Sequence, residues 1–209
     1  MSPILVSAAV EGLVDEAVVQ RLIRDAGAEP GTIYGKNGKP ALRKRIRGYA
    51  NAAKRSPWII LVDLNGDHDC APSLRSEWLR DSVPSLCFRV AVRAVEAWLL
   101  ADSETLSEYL AISPTQVPPD PEALPDPKRS LVDLARRSSR RTIREDIVPR
   151  AGSGRSVGPA YTARAIEFVL KHWRPQVSAG RADSLQRAID CLKELMRSSD
   201  PGVERGLFP

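Results

Sequence analysis

A chain of 209 residues that is 43% hydrophobic and 27% charged has the composition of a globular protein, which excludes a disordered or fibrous one. No apolar run approaches the roughly 18 residues that a membrane-spanning helix needs. The opening Met-Ser-Pro-Ile-Leu-Val lacks the basic start and long apolar stretch of a signal peptide, so no membrane association is expected and a cytoplasmic location is. The net charge of +5 is segregated along the chain. Lys36 to Arg55 holds eight basic residues and no acid, and Lys128 to Arg155 holds nine against Asp133, Glu145 and Asp146. Two local positive surfaces of this kind attract phosphates, although an Arg-rich helix is also simply well solvated. Cys70, Cys87 and Cys191 are odd in number, far apart and without a C-x-x-C pair, which argues against a disulfide framework and against structural zinc.

In chain order, Ile4 to Val10 is a short apolar run suited to a buried strand, ended by Glu11-Gly12. A helix follows with Val14, Ala17, Val18 and Leu22 on one face and Gly27 as its stop. Thr32 to Tyr34 reads as a short strand, Gly35 to Pro40 as a turn, and Ala41 to Lys54 as a basic helix. Trp58 to Leu64 is the clearest strand, continuously apolar up to Asp63 as in a parallel sheet buried on both faces. Asn65-Gly66-Asp67 turns the chain, Pro72 to Arg80 reads as a helix, and Leu86 to Val95 as a fourth strand leading into a helix from Glu96. Alternating strands and helices predict an α/β domain over residues 1–113, with a mainly parallel, Rossmann-like sheet flanked by helices. Six prolines between Pro114 and Pro127 predict a stiff extended connection. Residues 128–209 then read as a helical C-terminal subdomain packed on the first. Its elements are a basic helix from Arg129 to Arg141, a glycine-rich loop from Gly152, a helix from Ala160 to Trp173, and a last helix with Leu185, Ala188, Ile189, Leu192, Leu195 and Met196 on one face. The closing segment from Gly202 to Pro209 reads as a loose tail.

In an open α/β sheet, ligands bind beyond the carboxyl ends of the strands. Three predicted strands end in acids there: the first at Glu11, the third at Asp63, Asn65, Asp67 and Asp69, and the fourth at Glu96. Carboxylates delivered to one edge repel one another and suit a hard divalent cation such as Mg²⁺ or Mn²⁺. Each acid has a plainer role open to it. Glu11 can accept hydrogen bonds at the start of the first helix, and Asp63 can bond backbone amides. Asp67 and Asp69 can cap the helix near Pro72, and Glu96 can pair with Arg93. His68 and His172 read as loop and structural residues. No P-loop spacing and no G-x-S-x-G elbow is present. An aspartyl nucleophile at Asp63 has a parallel in phosphatases of the haloacid dehalogenase type, but their D-x-D is D-x-N here.

Glu11-Gly12 with Asp15-Glu16, followed by Asp63-Leu-Asn65-Gly-Asp67, resembles the two halves of the Toprim motif, a Glu after the first strand and a D-x-D after the third. The stretch Arg93-Ala-Val-Glu96-Ala-Trp98-Leu-Leu-Ala-Asp102 resembles a family of uncharacterised bacterial Toprim-like proteins with an E-x-W-L-L-A-D segment. Asp126-Pro-Lys128 and Val157-Gly-Pro-Ala-Tyr161 are similar to later parts of the same family. The resemblance implies a Toprim-like fold, Mg²⁺ binding, and kinship with overcoming-lysogenization-defect nucleases, topoisomerases and primases, some encoded beside ATPases in phage-defence loci. Glu11 takes the place of the motif Glu and Asp63 that of the first D. Asn65 departs from the second D and supplies no negative charge.

The function expected from these features is a Mg²⁺- or Mn²⁺-dependent nuclease. Asp63 and Asp67 anchor metal with help from Asp69 and Asn65, and Glu11 is a ligand or the general base. Glu96 completes the site and Lys128 neutralises charge in the transition state. Arg43, Lys44, Arg45 and Arg47, with Arg136, Arg137, Arg140 and Arg141, hold the nucleic-acid backbone. The rival expectation is a non-catalytic Toprim-like module that binds nucleic acid or an ATPase partner, to which Asn65 lends weight.

Overall fold

The computed structural model describes residues 3–66 and 68–199, so Asp67 and the closing segment lie outside the described residues. The chain alternates strictly at first: β1 (Leu5–Val10), α1 (Leu13–Asp25), β2 (Glu29–Gly35), α2 (Lys39–Ala53), β3 (Trp58–Asp63), α3 (Ala71–Trp78), β4 (Leu86–Ala91). Helices follow: α4 (Val95–Ala101), α5 (Ser103–Leu110), α6 (Pro127–Arg136), α7 (Arg141–Ile147), α8 (Tyr161–Lys171), the short α9 (Pro175–Ser178) and α10 (Asp183–Ser199). The four strands form an all-parallel sheet in the order β2-β1-β3-β4. This is the α/β class, a parallel sheet with helices on both faces.

Alternate residues of the strands feed two cores. Val6, Ala8, Ile59, Leu61 and Cys87 face α1, α4 and the C-terminal helices, whereas Ile60, Val62, Phe88 and Val90 face α2 and α3. Leu131 of α6, Phe168 of α8 and Leu192 of α10 join the same buried cluster as Val6 and Leu22, because α8 packs on α1, α10 on β4 and α6 on α4. All seven residues of α4 are buried, so it serves as a central helix between the sheet and the C-terminal layer.

Several boundaries differ from the expected ones for physical reasons. β2 is longer than Thr32–Tyr34 because it is an edge strand, where Pro30 costs no internal ladder bond. β4 stops at Ala91, where its partner β3 ends at Asp63, and residues 92–94 turn into α4. The single basic helix expected from Arg129 to Arg141 is two. Asp126 caps α6 by accepting from the Arg129 amide at 2.8 Å, and the break at residues 137–140 separates it from α7. The proline-rich segment is tied down: Val117 is buried, and Arg181 donates to the carbonyls of Pro118 and Pro119 at 2.7 and 2.9 Å.

The inference drawn from cysteine spacing is corrected. Cys87 of β4 and Cys191 of α10 are joined as a disulfide, with Cα atoms 5.8 Å apart, because α10 lies across β4; 104 residues of separation conceal that proximity. Cys70 is free and exposed. Among the described residues, no helix is long and apolar enough to cross a membrane.

Two glycines permit close approaches that shape the edge described next. At Gly35 the backbone is left-handed (φ 96°), and a Cβ would stand 2.1 Å from the Val10 carbonyl oxygen. At Gly158 a Cβ would stand 2.4 Å from the Asp146 carbonyl oxygen, so only glycine lets the chain pass α7 and enter α8 at Tyr161. Gly158→Ala is expected to cost roughly 1–3 kcal/mol, a fall in Tm on the order of 5 °C for a chain of this size. Thermal unfolding followed by circular dichroism measures it.

Candidate active site at the carboxyl edge of the sheet

The connection from β2 to β3 passes over β1, so the strand order reverses between β1 and β3 and opens a crevice at their carboxyl ends. Glu11 leaves β1 and Asp63 ends β3 at that point. Glu11 Oε1 accepts the Asp63 amide at 2.9 Å, and Asp63 Oδ1 accepts the Val95 amide at 3.0 Å. The second bond aims Asp63 at the start of α4 and brings Glu96, 1% exposed, to the same place. Asp15, 7% exposed, comes from the first turn of α1 with Oδ2 against Gly12.

Two cations and a phenol complete the cluster. The Asp126 cap and Pro127 at the first helical position fix where α6 begins and place Lys128 in its first turn. Lys128 Nζ stands 3.4 Å from Glu96 Oε1 and 5.8 Å from the centre of the Tyr161 ring. The Tyr161 hydroxyl donates to Glu96 Oε1 at 2.8 Å. Lys39 at the start of α2 donates to the carbonyls of Asp63 and Leu64 at 2.6 and 3.1 Å.

Within this cluster, Asp15 and Asp63 hold their protons more tightly than free carboxyls do. Burial, then Glu96, pushes the Asp15 carboxyl up to about 6. Burial, then Asp15, Glu96 and Glu11, pushes Asp63 well above the usual carboxylate range. Burial and Glu96 raise the Tyr161 hydroxyl far above its ordinary value, which keeps it a donor. Burial pulls the Lys128 amine down, but Glu96, Asp63 and Asp15 more than offset this and raise it, which keeps it charged. Among the described residues, Asp15 Oδ1 and Glu96 Oε2 are buried with no hydrogen-bond partner. Orphaned carboxylate oxygens inside a cluster of negative charge are costly unless a cation or proton is supplied.

The structure thus brings together Glu11, Asp63, Glu96 and Lys128 and leaves other expected site residues apart. Asp69 is exposed, caps no helix and lines a cavity along β4 instead; the α3 cap position is Cys70, with no side-chain bond. Asn65 is exposed in the left-handed region (φ 53°), which asparagine tolerates well; its backbone, not its amide, is bonded, to Arg93. Neither Asp69 nor Asn65 makes a side-chain contact with the cluster among the described residues, and Asp67 falls outside them. Glu96 pairs with Lys128 and Tyr161 rather than Arg93. Among the described residues, no three His, Cys, Asp or Glu side chains close on one point as a ready-made metal group. The donors still suit a hard cation chemically, being oxygen-only with two unsatisfied atoms. Mg²⁺ commonly takes one or two carboxylates and completes its shell with water and phosphate oxygens.

Arg43, Lys44, Arg45 and Arg47 are exposed on α2, whose first residue, Lys39, reaches the crevice. Arg43 pairs with Glu77 and lies over the Trp78 ring. Arg136, Arg137, Arg140 and Arg141 are exposed but begin about 12 Å from Lys128 along α6, at 1.5 Å per residue. Arg136 and Arg141 are spent on Asp133 and Glu145. The α2 face is therefore the better placed of the two basic surfaces. His68 bonds Glu77 at 2.7 Å, and His172 packs on Tyr109, as loop and structural residues do.

Sequence reasoning assigned no role to Asp15, Lys39 or Tyr161. The available signal for Asp15 was an acid four residues after Glu11, on a helix that is otherwise apolar at Val14, Ala17 and Val18. In the Glu96-to-Asp102 segment Glu96 joins the cluster, whereas Trp98 and Asp102 bond elsewhere. Trp98 donates to Ser184 at 2.7 Å, and Asp102, despite its burial, is held below the usual carboxylate range by Arg174.

Fold and site together define a parallel α/β protein with an acidic crevice at its topological switch point. No family model matches the chain, and no curated protein or solved structure is similar enough to it to count as a match.

Proposed function

We propose that the acidic crevice is a Toprim-like site that binds Mg²⁺ or Mn²⁺ and hydrolyses nucleic-acid phosphodiesters. The observation that carries this reading is the convergence of Glu11, Asp15, Asp63 and Glu96 at the switch point, with two buried carboxylate oxygens unsatisfied. Glu11 and Asp63 would hold the ion, which when bound supplies positive charge to a phosphate and lowers the pKa of water. Asp15, with its carboxyl near 6, is suited to exchanging a proton with the attacking or leaving oxygen around neutral pH. Lys128, charged and half exposed, is placed to offset negative charge that builds on the phosphate. The exposed cations of α2 would carry the strand to the crevice.

The experiment is incubation of labelled single- and double-stranded DNA and RNA with the protein, in Mg²⁺, in Mn²⁺ and in chelator. Metal-dependent cleavage that falls at least a hundredfold in Glu11→Gln supports the reading; no cleavage of any substrate opposes it.

One observation favours a second reading, a non-catalytic module that binds nucleic acid or an ATPase partner. Asn65 is exposed and supplies no charge where the Toprim pattern has its second Asp. That reading expects salt-dependent nucleic-acid binding that chelation leaves unchanged.

A further inference from the structure

Outside the acidic crevice, a cavity of about 650 Å³ runs along β4 between α3 and the start of α10. β4 is an edge strand among the described residues. The carbonyls of Ser85 and Ala91 accept from Trp58 and Leu64, so the odd-numbered backbone groups of β4 face β3 and the even-numbered ones face away. Two outward amides are satisfied, Leu86 by the Val83 carbonyl at 2.9 Å and Val92 by Ser184 Oγ at 3.2 Å. Those of Phe88 and Val90, both lining the cavity, have no partner among the described residues. An edge left open beside a cavity is a set of donors and acceptors in fixed positions, able to pair with whatever enters.

Among the described residues, arginines outnumber acids in the cavity lining by five to four. Arg75 comes from α3, Arg89 from β4 and Arg187 from α10. Among the described residues, Arg89 Nε is buried with no hydrogen-bond partner. Burial, then Arg75 and Arg187, lowers the affinity of Arg89 for its proton, and Asp183 and Asp190 do not restore it. Asp183 pairs with Arg187 at 2.8 Å, Glu122 is bonded to Ser184, and Asp69 and Asp81 are exposed. With Arg187 paired to Asp183, the guanidiniums of Arg75 and Arg89 remain in the lining and suit a compact, multiply charged anion, as phosphate is, rather than the spaced carboxylates of an extended peptide. Beside them, Leu79, Val83 and Phe88 give an apolar wall suited to a planar ring.

We propose that this cavity is a nucleotide-binding site, with the phosphate on Arg75 and Arg89 and the base against the apolar wall and the open backbone of Phe88 and Val90. The nucleotide is either free or one unit of a strand. The site adjoins the acidic crevice through Leu64 and Arg93 but does not depend on metal there.

The test is calorimetric titration, in chelator, with a nucleoside 5′-monophosphate, its nucleoside and inorganic phosphate. Saturable binding of the monophosphate, at least tenfold tighter than either fragment, is expected. Arg75→Ala, an exposed change that leaves the fold in place, and Arg89→Met are each expected to weaken it at least tenfold with unchanged circular dichroism. A 5′-phosphorylated tetranucleotide that displaces the monophosphate identifies a strand-borne ligand, and one that does not identifies the free nucleotide. No saturable binding of the monophosphate overturns the proposal, as does binding that the folded Arg75→Ala protein retains in full. Because divalent metal is absent throughout, neither result bears on the cleavage reading.

Discussion

Asp63→Asn is expected to abolish metal-dependent cleavage, by at least a thousandfold, while making the metal-free protein more stable at pH 7.5. The asparagine keeps an oxygen to accept the Val95 amide, so the start of α4 stays anchored to β3. What disappears is a negative charge that burial, Asp15, Glu96 and Glu11 all oppose. A residue kept for structure alone would lose stability on this change; one kept for a ligand gains stability and loses function. Activity assays and thermal unfolding on one preparation separate the two cases. Unchanged cleavage in the folded variant refutes the assignment of Asp63.

Asp15 gives the second large effect, through pH. Its carboxyl rises from an ordinary 3.8 to about 6 in the folded protein, so the folded state binds this proton more tightly than the unfolded chain. The stability it contributes is complete below about pH 4 and is lost as pH rises through about 6; Asp63, shifted in the same direction, adds to the loss. The shift corresponds to a stability difference on the order of 2–3 kcal/mol. Metal-free protein should therefore unfold at a lower temperature at pH 7.5 than at pH 5. Asp15→Asn should remove much of that difference and raise the Tm at pH 7.5 by roughly 4–10 °C. Asp102 and Glu167, held low by Arg174 and Arg164 respectively, work the other way, but only as pH falls below about 4. Thermal unfolding in chelator across pH 4–8 gives the profile; a Tm that rises steadily from pH 5 to 7.5 contradicts it.

The parallel sheet was legible because Trp58 to Val62 is apolar on both faces and Ile4 to Val10 nearly so, patterns that only a strand covered on both sides needs. The crevice followed, since parallel strands deliver their following residues to one edge, and Glu11, Asp63 and Glu96 meet there. Side-chain partners were less legible. Glu96 pairing with Tyr161 and Lys128 depends on where α6 and α8 dock across the proline-rich segment, and periodicity carries no such information. Asp69 was grouped with Asp63 through closeness in sequence, but the Asn65 turn sends it toward the β4 cavity. The Cys87–Cys191 bond was hidden for the opposite reason, with distant residues made neighbours by α10 crossing β4. Asp15 was seen as part of a pattern but given no role, because an acid in the first turn of a helix is ordinarily a surface group favoured by the helix dipole.

The central claim is that the crevice takes a divalent cation, and the most direct measurement is calorimetric titration of Mg²⁺ and Mn²⁺ into wild type and Asp63→Asn at pH 7.5. Saturable binding to wild type, weakened at least tenfold in the variant and accompanied by proton release that changes with buffer, is the predicted result. Absence of binding to wild type, or binding that the variant retains in full, would contradict the account.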